Sequence, residues 1–114
     1  MAEVVPTEYQ EAVTLHQWLS AKQIHHFHVP NENGRNGAQR GAMNKRMGVS
    51  KGVPDFFVFT PTANIVIELK RQKGGSVSPE QRDWLNRLAH AGFTCAIARG
   101  AQEAIEFITQ EGKI

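Results

Sequence analysis

Four ionisable side chains stand where an apolar environment should exclude them. Asp55 follows Pro54 inside the apolar run GVPDFFVF, Glu68 and Lys70 interrupt NIVIELK, and Glu8 heads a helical stripe of apolar residues. Side chains on a strand repeat every two residues, so Glu68 and Lys70 share a face with Val66, while Ile65, Ile67 and Leu69 take the other. A hairpin of these two segments sets Asp55 beside Glu68 and Lys70. Two adjoining carboxylates repel unless a cation lies between them, and a few hard oxygen ligands suit Mg²⁺ or Mn²⁺, which keep several waters. Lys70 is then placed to orient or deprotonate an attacking water, or to stabilise charge developing on a phosphoryl group. The alternative for Glu68 and Lys70 is an exposed surface pair, worth little. Glu8 adds a third carboxylate or holds a water; its alternative is an acid favoured by the helix dipole.

The elements that must position these groups can be read from caps and periodicity. Thr7 with Gln10 spells a capping box behind Pro6, opening a helix to about Lys22. Its stripe is Ala12, Leu15 and Leu19, and at roughly 100° per residue Glu8 lies within about 40° of it. IHHFHVP (24–30), VPDFFVFT (53–60), NIVIELK (64–70) and FTCAIAR (93–99) read as strands, with Pro61 and Thr62 turning the second into the third. Pro54 lacks a ladder donor, which puts Asp55 where its strand begins or bends. Ser78, Pro79 and Gln81 open a second long helix that carries Leu85 and Leu88 inward and stops near Gly92. Gln81 sits on that inward face and also at the third position of its capping box, so it points inward or caps. AQEAIEFITQ (101–110) closes the chain as an amphipathic helix, and the order is α-β-β-β-α-β-α.

With 114 residues, 40% of them hydrophobic, the chain (1–114) has material for one α/β domain with one core and too little for two. No apolar run approaches a membrane span, MAEVVPTEYQEAV does not read as a secretory signal, and the single Cys95 fits a reducing cytoplasm. The net charge of +2 hides an uneven distribution. Arg35, Arg40, Lys45, Arg46 and Lys51 fall between Gly34 and Gly52 with no acid among them, leaving eight cations against eleven acids elsewhere. That stretch, about 34–52, also holds five of the ten glycines. It reads as a flexible basic arm for a polyanion, with a short helix in QRGAMNKRM, against the alternative of an ordinary solvated loop. Asn31, in the polar loop just before the arm, is placed to reach a phosphate or a metal-bound water. His25, His26 and His28 find no partner pair for a tetrahedral zinc site. Cys95 reads as core packing, and Trp18 and Trp84 as core or dimer contacts.

Pro54-Asp55 followed by Glu68-Leu69-Lys70 in this element order resembles the PD-(D/E)XK nuclease superfamily. Together with Glu8, Asn31-Glu32, Gly52-Val53 and Gln81, the chain looks like a stand-alone VRR-NUC (virus-type replication-repair nuclease) domain over essentially its whole length. The resemblance implies a restriction-endonuclease-like αβββαβ core, a mixed and mostly four-stranded sheet flanked by helices. It implies a divalent-metal-dependent phosphodiesterase acting on DNA, with metal held by Asp55, Glu68 and the Leu69 carbonyl, and Glu8 contributing. Lys70 would serve the water or the transition state, and Gln81 carries over as an active-site residue. Stand-alone members are similar to Holliday-junction resolvases, which act as homodimers on branched DNA. A compact nuclease of this type suits a phage or bacterial replication-repair setting. The other reading is a non-catalytic module that grips branched DNA on a nuclease fold.

Overall fold

A computed structural model describes residues 4–30, 42–43 and 45–114. Of the basic arm, 34–41 and 44 lie outside these residues; where a short helix is expected in QRGAMNKRM, Ala42, Met43, Lys45 and Arg46 are helical, and the Met47 N–H donates to the Met43 carbonyl at 3.2 Å. Helix α1 spans Glu8–Ala21, and strands β1, β2 and β3 span His25–His28, Phe56–Phe59 and Asn64–Lys70. Helix α2 (Pro79–His90), strand β4 (Thr94–Arg99) and helix α3 (Ala101–Gly112) follow. The element order is the one the sequence implies.

The capping boxes at the heads of α1 and α2 are both formed. Thr7 Oγ1 accepts from the Gln10 N–H while Gln10 Oε1 accepts from the Thr7 N–H, and Ser78 with Gln81 repeats the exchange. The sheet runs β1-β2-β3-β4; β1, β2 and β3 pair antiparallel, and β4 lies parallel to β3 after the α2 crossover. One face carries Phe56, Val58, Ile65, Ile67, Leu69 and Ala98, sealed by Leu15 and Leu19 of α1 and by Ala101, Ala104 and Ile108 of α3. The other face is covered by α2 over β3 and β4.

Helix α1 is rotated slightly from the expected stripe. Its buried residues are Glu11, Leu15 and Leu19, and Ala12 is only half-buried. Glu11, at 6% exposure, is the acid that the helix buries. It is satisfied across the fold: Oε1 accepts from the Ala101 N–H at 3.2 Å, and Oε2 accepts from Gln72 Nε2 at 3.0 Å. Glu11 thus caps α3, whose own N-cap, Gly100, has no side chain to do so. Gly100 sits at φ +96°, and a Cβ there would come 2.8 Å from Glu11 Oε2.

Candidate active site

Strand β2 starts at Phe56, three residues later than the apolar run suggested, and the reason lies in the pairing. Phe56 faces Ile67. Continuing that register sets Asp55 opposite Glu68 and Pro54 opposite Leu69. Pro54 has no N–H to give to the ladder, so regular pairing stops there. The Leu69 N–H donates instead to Asp55 Oδ2 at 2.8 Å. The N–H and C=O of one strand residue point the same way, and those of its neighbours point oppositely. Since the Lys70 carbonyl accepts from the Gly100 N–H on the β4 side, the Leu69 carbonyl faces the β2 side, where proline offers no ladder donor.

Asp55 and Glu68 therefore meet on one face at the ragged end of the β2–β3 hairpin. Asp55 is 3% exposed and Glu68 is fully buried. Burial pushes the Glu68 carboxyl up to about 9; close contact with the Asp55 carboxyl and its charge adds to this, Glu8 adds a little more, and Lys70 opposes it. The two acids come close enough to share a proton. Ionising both sets two negative charges side by side, and Glu68 Oε1 is a buried oxygen without a hydrogen-bond donor among the described residues.

Lys70 is 9% exposed and shares the Glu68 face, as the strand period requires. Its Nζ lies 3.8 Å from Glu68 Oε2 and donates to Gln81 Oε1 at 3.2 Å. Gln81 does both things the sequence left open. Oε1 caps α2 by accepting from the Ser78 N–H at 2.9 Å, and Nε2 donates to Glu68 Oε2 at 3.4 Å. One amide thus holds the helix start, the ammonium and the buried carboxylate together. Gly52 permits this approach of loop and helix: at φ +84°, a Cβ would sit 2.8–2.9 Å from Glu80 and the Gln81 backbone N.

Glu8 is exposed, not buried with the stripe, but it stands at the mouth of the site. Its carboxyl is held above the ordinary value by desolvation and by Asp55, with Lys70 and His28 pulling the other way. Among the described residues no three His, Cys, Asp or Glu side chains gather into a metal cluster. The oxygens that could hold a divalent ion are thus Asp55, Glu68 and the Leu69 carbonyl, with Glu8 farther out.

Of the expected DNA contacts, Lys45, Arg46 and Lys51 are exposed, whereas Asn31, Arg35 and Arg40 lie outside the described residues. The histidines are used locally. His26 Nδ1 lies 2.8 Å from the Ile24 carbonyl and His26 Nε2 2.8 Å from His16 Nδ1, which reads as His16 donating to His26 and His26 donating to the backbone. Cys95 is half-buried, and burial raises its thiol. Glu11 is the buried acid that sequence reasoning passed over; its spacing with Leu15 and Leu19 was the available signal.

A family model described as the VRR-NUC domain matches residues 7–102. A solved structure described as a VRR_NUC domain protein superposes with a TM-score of 0.77 at 25% sequence identity, covering 99% of this chain and 92% of that one. No curated protein matches the chain.

Proposed function

The chain belongs to the VRR-NUC domain family, a nuclease family, and from that premise we propose that it is a divalent-metal-dependent DNA endonuclease selective for branched DNA such as four-way junctions. The observation that carries the reading is the register-opposed pair of Asp55 and Glu68, with Lys70 Nζ 3.8 Å from Glu68 Oε2. The donor chemistry fits a hard divalent ion, Mg²⁺ or Mn²⁺. Two acids converge, one buried carboxylate oxygen has no donor, and a backbone carbonyl faces a proline in place of an N–H. Asp55, Glu68 and the Leu69 carbonyl would hold it, with Glu8 contributing; when bound it supplies Lewis acidity toward a phosphodiester and lowers the pKa of water.

The chain's own residues do the rest. Asp55 is fixed by the Leu69 N–H, so its second oxygen keeps one direction. Gln81 aims the Lys70 ammonium, which can hydrogen-bond an attacking water or a non-bridging phosphate oxygen and offset the charge that builds there. The basic arm, through Lys45, Arg46 and Lys51 and the arginines beyond them, grips the DNA backbone by charge, which favours shape over sequence.

We propose also a homodimer, which presents two sites to opposing strands. Its support is the sheet face beyond the reach of α2. There Phe27 is 48% exposed and stacks on Phe57 with ring centroids 4.9 Å apart. No helix among the described residues is long and apolar enough to cross a membrane; a cytoplasmic location, where the protein would meet its DNA, belongs to the same proposal.

The test is a panel of labelled four-way, flap and duplex DNA incubated with Mg²⁺ or Mn²⁺. Cleavage strongest on the four-way junction is expected. Binding without cleavage on every substrate would sink the enzymatic reading in favour of a DNA-gripping module.

A further inference from the structure

We infer that Arg99 is a positioning residue for the Lys70 ammonium and the Gln81 amide, an inference that rests on the nuclease reading for its catalytic consequence. Arg99 is the last residue of β4 and lies level with Lys70 in the parallel register. Beyond that pair the two strands part, and the chain from Lys70 turns toward α2. The Gly100 N–H donates to the Lys70 carbonyl at 2.9 Å, the last backbone rung. The Arg99 side chain then extends the ladder. Nη1 donates to the Arg71 carbonyl at 3.2 Å and to the Gly74 carbonyl at 2.7 Å, and Nη2 donates to the Gly75 carbonyl at 3.3 Å.

Two successive carbonyls, those of Lys70 and Arg71, are therefore fastened by Gly100 and Arg99. The same guanidinium folds the 71–75 loop back upon itself. That loop leads to Ser78, the cap of α2, and so to Gln81, whose Oε1 receives the Lys70 ammonium. Lys70 and Gln81 sit at the two ends of a connection that Arg99 closes in the middle. Releasing it frees both ends at once, and their 3.2 Å contact depends on both. A planar fork with five donors in fixed directions can serve three carbonyls together; a lysine ammonium on a flexible stem cannot reproduce that spread. The guanidinium acts on the carbonyls of Arg71, Gly74 and Gly75, so its effect travels through the loop.

The experiment compares wild type with Arg99→Ala and Arg99→Lys. It measures single-turnover cleavage of the preferred DNA, DNA affinity in a non-cleaving metal, and the Gln81 side-chain amide signals by NMR. Misplacing reacting groups by about 1 Å costs on the order of 100-fold; cleavage should fall on the order of 10-fold to 100-fold in both variants, with DNA affinity changed less than about twofold. Millimolar, non-denaturing guanidinium should restore Arg99→Ala in part, sodium chloride at equal ionic strength should not, and the displaced Gln81 signals should return with activity. Unmoved Gln81 signals in Arg99→Ala overturn the proposal whether or not the protein cleaves DNA. Moved signals with wild-type cleavage overturn the catalytic consequence alone. Should wild type cleave nothing, the nuclease reading fails, and the amide signals still decide whether Arg99 holds Gln81.

Discussion

Asp55 Oδ2 takes the Leu69 N–H at 2.8 Å, in the place where the carbonyl of Pro54 would have bonded had the ladder continued. A side chain thus substitutes for backbone at the end of the hairpin. The proline that stops the ladder also leaves the Leu69 carbonyl without a ladder donor. The metal-binding potential of the site and the shortening of β2 share one cause.

Asp55→Ala should abolish Mn²⁺ binding in calorimetric titration, because Glu68 alone cannot offset the desolvation of a divalent ion. Cleavage should drop by at least about 100-fold, the scale seen when one preorganised electrostatic group is removed. Asp55→Asn keeps an acceptor for the Leu69 N–H and should fold as wild type while still losing metal. Mn²⁺ affinity retained in both variants would refute the proposed ligand set.

Glu68 makes stability depend on pH in the absence of metal. Its folded-state value of about 9 lies above the ordinary 4.5. Below the ordinary value the proton is bound in both states. As pH rises toward 9, the unfolded chain releases the proton and the folded chain keeps it, so the folded state loses stability across that window. Thermal melts in chelator should show this decline, and Glu68→Gln should flatten it. Metal binding requires the ionised carboxylate, so Mn²⁺ affinity should rise with pH over the same range. A wild-type melting temperature that does not fall across this range would contradict the assignment.

Gln81 carries two roles that substitution can separate. Gln81→Glu preserves the oxygen that caps Ser78 but replaces the donor facing Glu68 with a further negative charge. It should keep near-wild-type helix content, judged by circular dichroism, and lose cleavage. Gln81→Ala should lose both, with a stability cost of about 1 kcal/mol for the cap. Equal cleavage by Gln81→Glu and wild type would reduce Gln81 to a capping residue.

Phe27 offers a test of the dimer. It lies on an edge strand and is half-exposed, so Phe27→Glu should leave the core intact. Sedimentation should show wild type as a dimer and the variant as a monomer, with junction cleavage by the variant reduced to single nicks. A wild-type monomer at micromolar concentration would remove the basis for paired cutting.

Much of this was legible from the chain itself. The capping pairs Thr7–Gln10 and Ser78–Gln81, the alternation of NIVIELK and the turn at Pro61-Thr62 are local signals, and local sterics and hydrogen bonds decide them. They sufficed for the element order and for placing Glu68 with Lys70 opposite Ile65, Ile67 and Leu69. Where helix α1 turns toward the core was not decided locally. Glu8 and Glu11 lie three residues apart on nearby parts of the helix, and periodicity alone put Glu8 on the stripe. The carboxylate that is buried is Glu11, because α3 begins at a glycine and its first N–H groups need an acceptor from elsewhere in the fold. Gln81 was likewise ambiguous, since a cap and an inward-facing amide have the same sequence signature. Only packing α2 against β3 shows that one side chain serves both.

The sequence by itself determined which residues have the chemistry and which strand face or helix end each occupies, because those follow from periods of two and 3.6 and from the missing N–H of proline. The tertiary structure alone decided which of those groups meet. Distances between Asp55 and Glu68, Lys70 and Gln81, or Arg99 and the 71–75 loop depend on register and crossover, which arise from burying one shared core and not from any short stretch of chain.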